Sequence, residues 1–250
     1  MRRKLQRILL PLALLAASLA LFEFTDLDLR LQDHFYDFAQ QSWMVDKRAV
    51  LPRLLFYTGP KLLLIGLAAW LLLGLLLPRR ICPRWLATPW PAPRVWLVIL
   101  SLALVPATIA IMKSRSDIYT PASLTRYDGS KPYHHLFEPL LPGVLPNRGR
   151  SFPAGHASGG FALLSLFYLF SRRRWRWAGL GVGLLYGWTM GLYQMFKGAH
   201  FLSHTVVTML LAWLIIEVLA MILRVTPSEM RKQTSPRASR DSQSTKPASS

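Results

Sequence analysis

The chain has 250 residues, 52% of them hydrophobic, and its mean hydropathy is positive. A soluble domain of this length would be less apolar, and it would not gather its apolar residues into runs of roughly 20, the number that a helix needs to cross a membrane. The formal net charge is +18, but the basic residues stand in short clusters beside the apolar runs, which is typical of membrane proteins facing anionic lipid and argues against nucleic acid as a partner.

Six apolar runs predict an all-α integral membrane protein, a bundle of six transmembrane helices. The runs cover residues 8–24, 54–77, 95–112, 154–170, 178–196 and 202–223. The first run would also fit a secretory signal peptide, because small residues follow at Ala16 and Ala17, but the later runs favour a retained helix. We expect residues 1–224 to form one membrane-embedded domain and residues 225–250 to form a disordered basic cytoplasmic tail.

The basic clusters predict the orientation of the chain. Six spans place the N-terminus, residues 78–94, residues 172–177 and the C-terminal tail on one side, and this side is cytoplasmic because it carries most of the clusters. The opposite, periplasmic face of a bacterial-type inner membrane then receives the other connections. These are residues 25–53, with Phe35, Tyr36 and Phe38 at headgroup depth, and the loops 113–153 and 197–201. The 113–153 loop is basic although it lies outside, which an anionic ligand would explain.

A first candidate motif opens the fourth span on this outer face. Pro153 precedes Ala154, Gly155 and His156, and a proline just before a helix is a favourable start. The first backbone N–H groups of such a helix have no partner inside it and point toward a docked anion. Gly155 lets the backbone approach a phosphate closely, and His156 stands where it could give a proton to a leaving oxygen.

A second motif opens the sixth span on the same face. His200 follows Gly198 and Ala199, and His204 comes four residues later. At this spacing His204 can hold one ring nitrogen of His200 and fix its tautomer, and a histidine held in this way can attack phosphorus. Lys113, at the outer end of the third span, can supply positive charge for a phosphoryl group.

These residues resemble the motifs of the type 2 phosphatidic acid phosphatase (PAP2) superfamily, which shares its fold with vanadium haloperoxidases. The family motifs are Lys-x6-Arg-Pro, Pro-Ser-Gly-His and Ser-Arg-x5-His-x3-Asp. They align here on Lys113 through Thr120-Pro121, on Pro153 through His156, and on Tyr193-Gln194 through His200 and His204. The resemblance covers roughly residues 95–224 and the six-span layout.

The resemblance implies a metal-independent lipid phosphatase or phosphotransferase with no organic cofactor. His200 would be the nucleophile that forms a phosphohistidine, His156 the general acid, and His204 the residue that orients His200. The phosphate-binding positions would be Lys113, Thr120, Ala154, Gly155 and Gln194. The substrate would be a phosphate monoester or diphosphate of a membrane lipid, and phosphatidate, phosphatidylglycerol phosphate, polyprenyl diphosphate and lipid A phosphate all remain open, as does the choice of water or a second lipid as acceptor.

The chain departs from the family at three motif positions. Thr120 and Gln194 stand where the family has arginines, and His204 stands where it has an aspartate. Each lost hydrogen bond to a charged group is worth about 1.5–3 kcal/mol, so other basic residues are expected to compensate. Arg126 is the first candidate, and the others are Arg115, Lys131, Arg148, Arg150 and Lys197.

Two other functions fit the same residues. The departures favour a catalytically degenerate family member that binds or transports an anionic lipid. Alternatively, His200 and His204 could be a metal-binding pair in a metal-dependent hydrolase, with Asp128, His134 and His135 as further ligands. Glu217 lies inside the sixth span, where a carboxylate is a functional candidate unless it pairs, for example with Arg224.

Overall fold

The computed structural model describes residues 2–78, 80–138 and 149–225, and its architecture is all-α apart from one small hairpin. The elements in chain order are α1 (Arg2–Glu23), α2 (Leu27–Asp33), β1 (Tyr36–Asp37), β2 (Ser42–Trp43), α3 (Val50–Arg53), α4 (Gly59–Leu76), α5 (Ala92–Ser114), α6 (Gly155–Ala162), α7 (Leu166–Leu169), α8 (Arg173–Phe196) and α9 (Leu202–Ile222). The strands pair antiparallel, Tyr36 opposite Trp43. Of the predicted tail, residues 225–250, only Val225 is described, and it is buried.

Within the described residues, four helices are long and apolar enough to cross a membrane, which makes this a multi-pass membrane protein. They are Leu5–Glu23, Val50–Leu76, Ala92–Ser114 and Leu202–Ile222, and they correspond to the predicted first, second, third and sixth runs. The fourth run forms α6, which continues through the 3-10 turn Leu163–Ser165 into α7, and the fifth run forms most of α8. All six runs are therefore helical.

The second span contains a widened turn. α3 passes into α4 through the π-helical turn Leu54–Thr58, directly before Pro60. The ring of a proline collides with the carbonyl four residues earlier, here that of Phe56, and proline cannot donate the usual helical hydrogen bond. A π turn accommodates both effects by letting the helix continue with one extra residue in the turn.

The core lies where α5, α6, α8 and α9 meet. Leu97, Val105, Phe161, Ala212 and Ile216 are buried in one cluster there. α6 and α8 approach closely at glycine, because a β-carbon on Gly187 would overlap the ring of Phe161. Small residues at such a crossing allow helices to pack backbone to backbone in a membrane.

The helices alternate in direction, so the bundle has two distinct ends. At one end, called here the Arg7 end, α1 begins, α7 and α9 finish, and Arg7 pairs with Glu217 at 2.6 Å. The Tyr168 hydroxyl donates to the same carboxylate at 2.5 Å. Glu217 therefore pairs with Arg7 and not with Arg224, one of the partners considered for it, because α1 lies along α9.

The opposite end, called here the histidine end, is where α5 and α8 finish and α6 and α9 begin. The segment 25–53 packs over it. Gln32 donates to the carbonyl of Met195 at 2.8 Å, and Tyr36 is buried against Trp43 and Tyr127. Tyr36 is thus part of a small aromatic core over the bundle rather than a free headgroup anchor.

Candidate active site

The two motif histidines meet at the histidine end. His156 is the second residue of α6, and His200 lies in the turn between α8 and α9. The Nδ1 atom of His156 is 3.5 Å from the Nε2 atom of His200, and the ring centroids are 5.7 Å apart. Two imidazoles from separate helices therefore face one another with reactive nitrogens in contact.

His204 and Ser151 hold the far side of the His200 ring. The Nδ1 atoms of His200 and His204 are 3.3 Å apart, and the Ser151 hydroxyl oxygen is 3.4 Å from Nδ1 of His204. If His200 carries its proton on Nδ1 and donates it to His204, its Nε2 atom has a free lone pair directed at His156. The contacts on this side are compatible with the tautomer that a nucleophile requires.

Burial keeps His200 uncharged. Only 2% of the residue is exposed, and burial lowers the pKa of His200 well below its usual value; nearby His204, His156 and Lys113 lower it further. A neutral imidazole is the nucleophilic form, so the ring is in the reactive state at physiological pH.

Backbone contacts tie the first motif to α9. The N–H of Ala154 donates to the carbonyl of His204 at 3.2 Å, and the Thr208 hydroxyl donates to the carbonyl of Ala154 at 3.3 Å. In the part of the chain that the structure describes, no side chain caps the start of α6. Lys113 reaches this point from the end of α5, since a β-carbon on Gly155 would lie 3.9 Å from its Nζ atom. An uncapped helix start beside an ammonium group is a favourable place for an anion.

A cavity of about 550 Å³ opens beside His156, between α4, α5 and α6. Its polar end contains Lys113, Tyr57 and Lys61. The ring of Tyr57 lies against His156, with centroids 5.0 Å apart. Farther along α4 and α5 the walls are apolar, as the lining residues Leu64, Ala68, Leu102 and Pro106 show. The cavity therefore offers a charged head region and an apolar body.

Comparison with known proteins decides the family. The sequence profile of the PAP2 superfamily matches residues 94–226, more than half of the chain. The chain belongs to the PAP2 superfamily. It matches no curated protein sequence and no solved structure at a significant level. The predicted resemblance over 95–224 is thus confirmed, and PAP2 members are generally phosphatases of phosphomonoesters.

Gln194 and Thr120, at the PAP2 arginine positions, have different surroundings. Gln194 is completely buried, and neither its side-chain oxygen nor its nitrogen finds a hydrogen-bond partner among the described residues. Such an amide is costly unless a ligand or water satisfies it. Thr120 instead shares a 2.8 Å hydrogen bond with Ser123, in a loop that packs on Gly198.

Arg126 is not brought to the histidines. Its guanidinium donates two hydrogen bonds to Asp33, at 2.8 and 2.6 Å, and these bonds hold the pKa of Asp33 below its usual value. The Tyr127 hydroxyl donates to the same carboxylate at 3.0 Å. A bidentate pair of this kind uses two of the five guanidinium N–H groups and offsets the charge, so Arg126 fastens the turn Thr125–Tyr127 to α2.

Lys197 is the basic candidate that lies near the histidines: it stands over the ring of Tyr193, and its charge acts on His156 together with those of Lys113 and Lys61. The other candidates are scattered. Lys131 lies over the ring of Tyr119, Arg115 and Arg150 are exposed, and Arg148 falls outside the described residues. Among the residues that the structure describes, no three His, Cys, Asp or Glu side chains are grouped so as to hold a metal ion.

Asp28 is a residue of this end that the sequence analysis did not single out. It lies on α2, is 5% exposed, and accepts a 2.9 Å hydrogen bond from the N–H of Ser203 in the first turn of α9. Burial raises the pKa of Asp28 to about 6, although hydrogen bonds from Ser203 oppose this. The hydrogen bond to Ser203 ties α2 to the first turn of α9, so Asp28 helps to fix the turn that presents His200. The sequence shows an acidic residue at position 28, but not that it packs on residue 203.

Proposed function

We propose that this PAP2 protein removes phosphate from a membrane lipid phosphate, a monoester or a diphosphate, through a phosphohistidine. The observation that carries the proposal is the 3.5 Å contact between His156 and His200 beside a cavity with a cationic head and an apolar body. A lipid phosphate has the same two parts, and a water-soluble phosphate would leave the apolar part of the cavity unused.

The chemistry follows from the arrangement of the rings. Nε2 of His200 attacks phosphorus while His204 holds the Nδ1 proton, and His156 protonates the departing oxygen. The N–H groups at the start of α6, at Gly155 and His156, and the ammonium group of Lys113 stabilise the charge on the phosphoryl oxygens. The negative charge of the bound phosphate also favours the protonated form of His156. Water then attacks the phosphohistidine and restores His200.

Substrate binding requires His156 to move. An attacking nitrogen stands about 3–3.5 Å from phosphorus, and the acid needs about 3 Å to reach the leaving oxygen, so a bound phosphoryl group separates the rings by more than the present 3.5 Å. The open side of His156 faces Tyr57 and the cavity. Displacement of the His156 ring in that direction would place it beside the leaving group.

The membrane arrangement is part of the proposal. The fourth of six spans would be α6 together with α7, and the fifth would be α8. All six would belong to one domain of residues 1–224. The basic segment that opens α8, with Arg172 and Arg173, lies at the Arg7 end together with the start of α1. By the positive-inside rule, that end would be cytoplasmic, both termini with it, and the histidine end would face the periplasm of a bacterial-type inner membrane.

A phosphate-release screen on the purified protein tests the proposal. The panel would contain phosphatidate, phosphatidylglycerol phosphate, polyprenyl diphosphate and lipid A phosphate, each with and without a chelator. We expect release from at least one lipid that is insensitive to chelator, lost in His200→Ala, and accompanied by an acid-labile phosphohistidine in the wild type. Loss of activity with chelator would favour the metal-dependent hydrolase. Lipid binding without turnover in the wild type would favour the degenerate binding protein.

A further inference from the structure

The site is short of positive charge, and the expected residue does not supply it. Thr120 and Gln194 are uncharged, and the guanidinium of Arg126 is paired with Asp33. A phosphoryl group carries charge that a catalytic site must stabilise. The charges of Lys113 and Lys197 act on His156, but Lys197 does not line the cavity, so the cavity is the place to look for a further cation.

Lys61 supplies that cation from α4. Tyr57, Lys61, Leu64 and Ala68 recur at helical spacing, so they form one face of the second span, and all four line the cavity. Lys61 is the one charged residue in α4. The described residues give it no ion-pair partner within 4.0 Å. A charged side chain in an apolar span is costly and is expected to serve a function.

The two lysines lie on different sides of the reacting centre. Lys113 adjoins Gly155 at the start of α6, where the transferred phosphoryl group would dock. Tyr57 lies against the His156 ring on its cavity side, and Lys61 follows one helical turn later on the same face. His200 is buried on the other side of His156. Lys61 is thus placed on the leaving-group side.

We propose that Lys61 binds a second phosphate, so that the substrate of this site is a lipid diphosphate. This inference rests on the proposed phosphatase function. His200 Nε2 would form a bond to the terminal phosphorus as the bond from that phosphorus to the bridging oxygen breaks. The bridging oxygen takes a proton from His156 and leaves as part of a lipid monophosphate held by Lys61. Water then cleaves the nitrogen–phosphorus bond and releases inorganic phosphate.

The test compares one lipid in two phosphorylation states. The substrates are farnesyl diphosphate and farnesyl monophosphate, each in detergent micelles. The proteins are the wild type, Lys61→Met and Lys61→Arg. The matched control is Lys47→Met, which removes an exposed lysine from the 25–53 segment. We expect Lys61→Met to lower kcat/KM for the diphosphate by about 10- to 100-fold, the loss expected for a hydrogen bond to a charged group. The monophosphate should change by less than about 3-fold, Lys61→Arg should keep most of the activity, and Lys47→Met should be unchanged.

The outcomes separate this inference from the proposed function. A wild type that releases no phosphate from the farnesyl lipids or from any lipid of the earlier panel, or whose activity is unaffected by His200→Ala, overturns both. A wild type that is active on lipid monophosphates of the panel but not on a diphosphate overturns only this inference. If the wild type is active and Lys61→Met has the same ratio of kcat/KM for the diphosphate to that for the monophosphate, only the role of Lys61 is overturned. Equal losses of kcat/KM for both substrates in Lys61→Met also overturn this role, because they would place Lys61 on the transferred phosphoryl group. Loss of activity in Lys61→Arg overturns it as well, because it would mean that positive charge is not what the position supplies.

Discussion

Both ends of the bundle contain a buried polar cluster beside a cavity, yet the two clusters are built differently. At the Arg7 end the cavity of about 510 Å³ adjoins Arg7, Tyr168 and Glu217, which are bonded to one another at 2.5–2.6 Å. At the histidine end the cavity has similar size, but within the described residues Lys61 and Lys113 have no carboxylate partner within 4.0 Å and the amide of Gln194 has no hydrogen-bond partner. The two ends therefore differ not in cavity size but in whether the cations beside the cavity have a carboxylate partner.

The largest effect should come from the histidine end. His200→Ala removes the nucleophile, and we expect kcat to fall by at least about 10,000-fold, as for other enzymes that lose a covalent nucleophile. Phosphate release in detergent measures the rate, and size-exclusion chromatography checks that the variant remains folded. Retention of even a tenth of the wild-type rate would contradict a phosphohistidine at this residue.

The Arg7 end should respond in the opposite way. Glu217→Gln leaves Arg7 as a partly buried charge without its counter-ion, which is expected to cost about 3 kcal/mol of stability with kcat unchanged. Thermal unfolding in detergent measures the stability, and phosphate release measures kcat, both on the same preparation. We expect kcat per folded molecule to be the same in the variant and the wild type. A lower kcat per folded molecule would show that the Arg7 cluster also takes part in function.

Asp28 should make the stability of the histidine end depend on pH. Its pKa is raised from 3.8 to about 6 in the folded protein, so the folded state binds the proton more tightly, and its ionisation lowers stability as pH rises from about 4 to about 6. The shift corresponds to about 3 kcal/mol at most. The difference between the melting temperatures of Asp28→Asn and the wild type should therefore increase from pH 4 to pH 7. A difference that does not change with pH would show that Asp28 is not buried in its ionised form.

The smallest effect concerns the residue that orients His200. His204→Asp installs the carboxylate of the PAP2 motif, which stabilises the imidazolium form of His200 better than a neutral ring does. We expect kcat to stay equal or to rise by up to about 10-fold, because orientation is preserved and charge is gained. His204→Ala, which loses both, is the matched comparison and should be slower than wild type.

Local patterns were sufficient to predict the helices and the two histidine motifs. Apolar runs determine where helices can span, and a simple count of alternating spans places His156 and His200 at one end. The partners of Arg126, Glu217 and Asp28 could not be predicted, because each is decided by which helices pack side by side. Arg126 meets Asp33 from a segment 93 residues away, and Asp28 meets Ser203 from one 175 residues away. The role of Lys61 could not be predicted for the same reason. It lies outside the family motifs, and only the packing of α4 places it beside the cavity.

The widened turn at Leu54–Thr58 fixes the rotational phase of the second span. A helix advances by about 100° per residue, so rewinding the same residues of this turn as ordinary α-helix would rotate the rest of α4 by about a quarter of a circle. Lys61 would then leave the cavity face on which it lies with Leu64 and Ala68, while the matched region 94–226 would be untouched. The width of one helical turn outside the family motifs thus sets which side chains of α4 line the cavity.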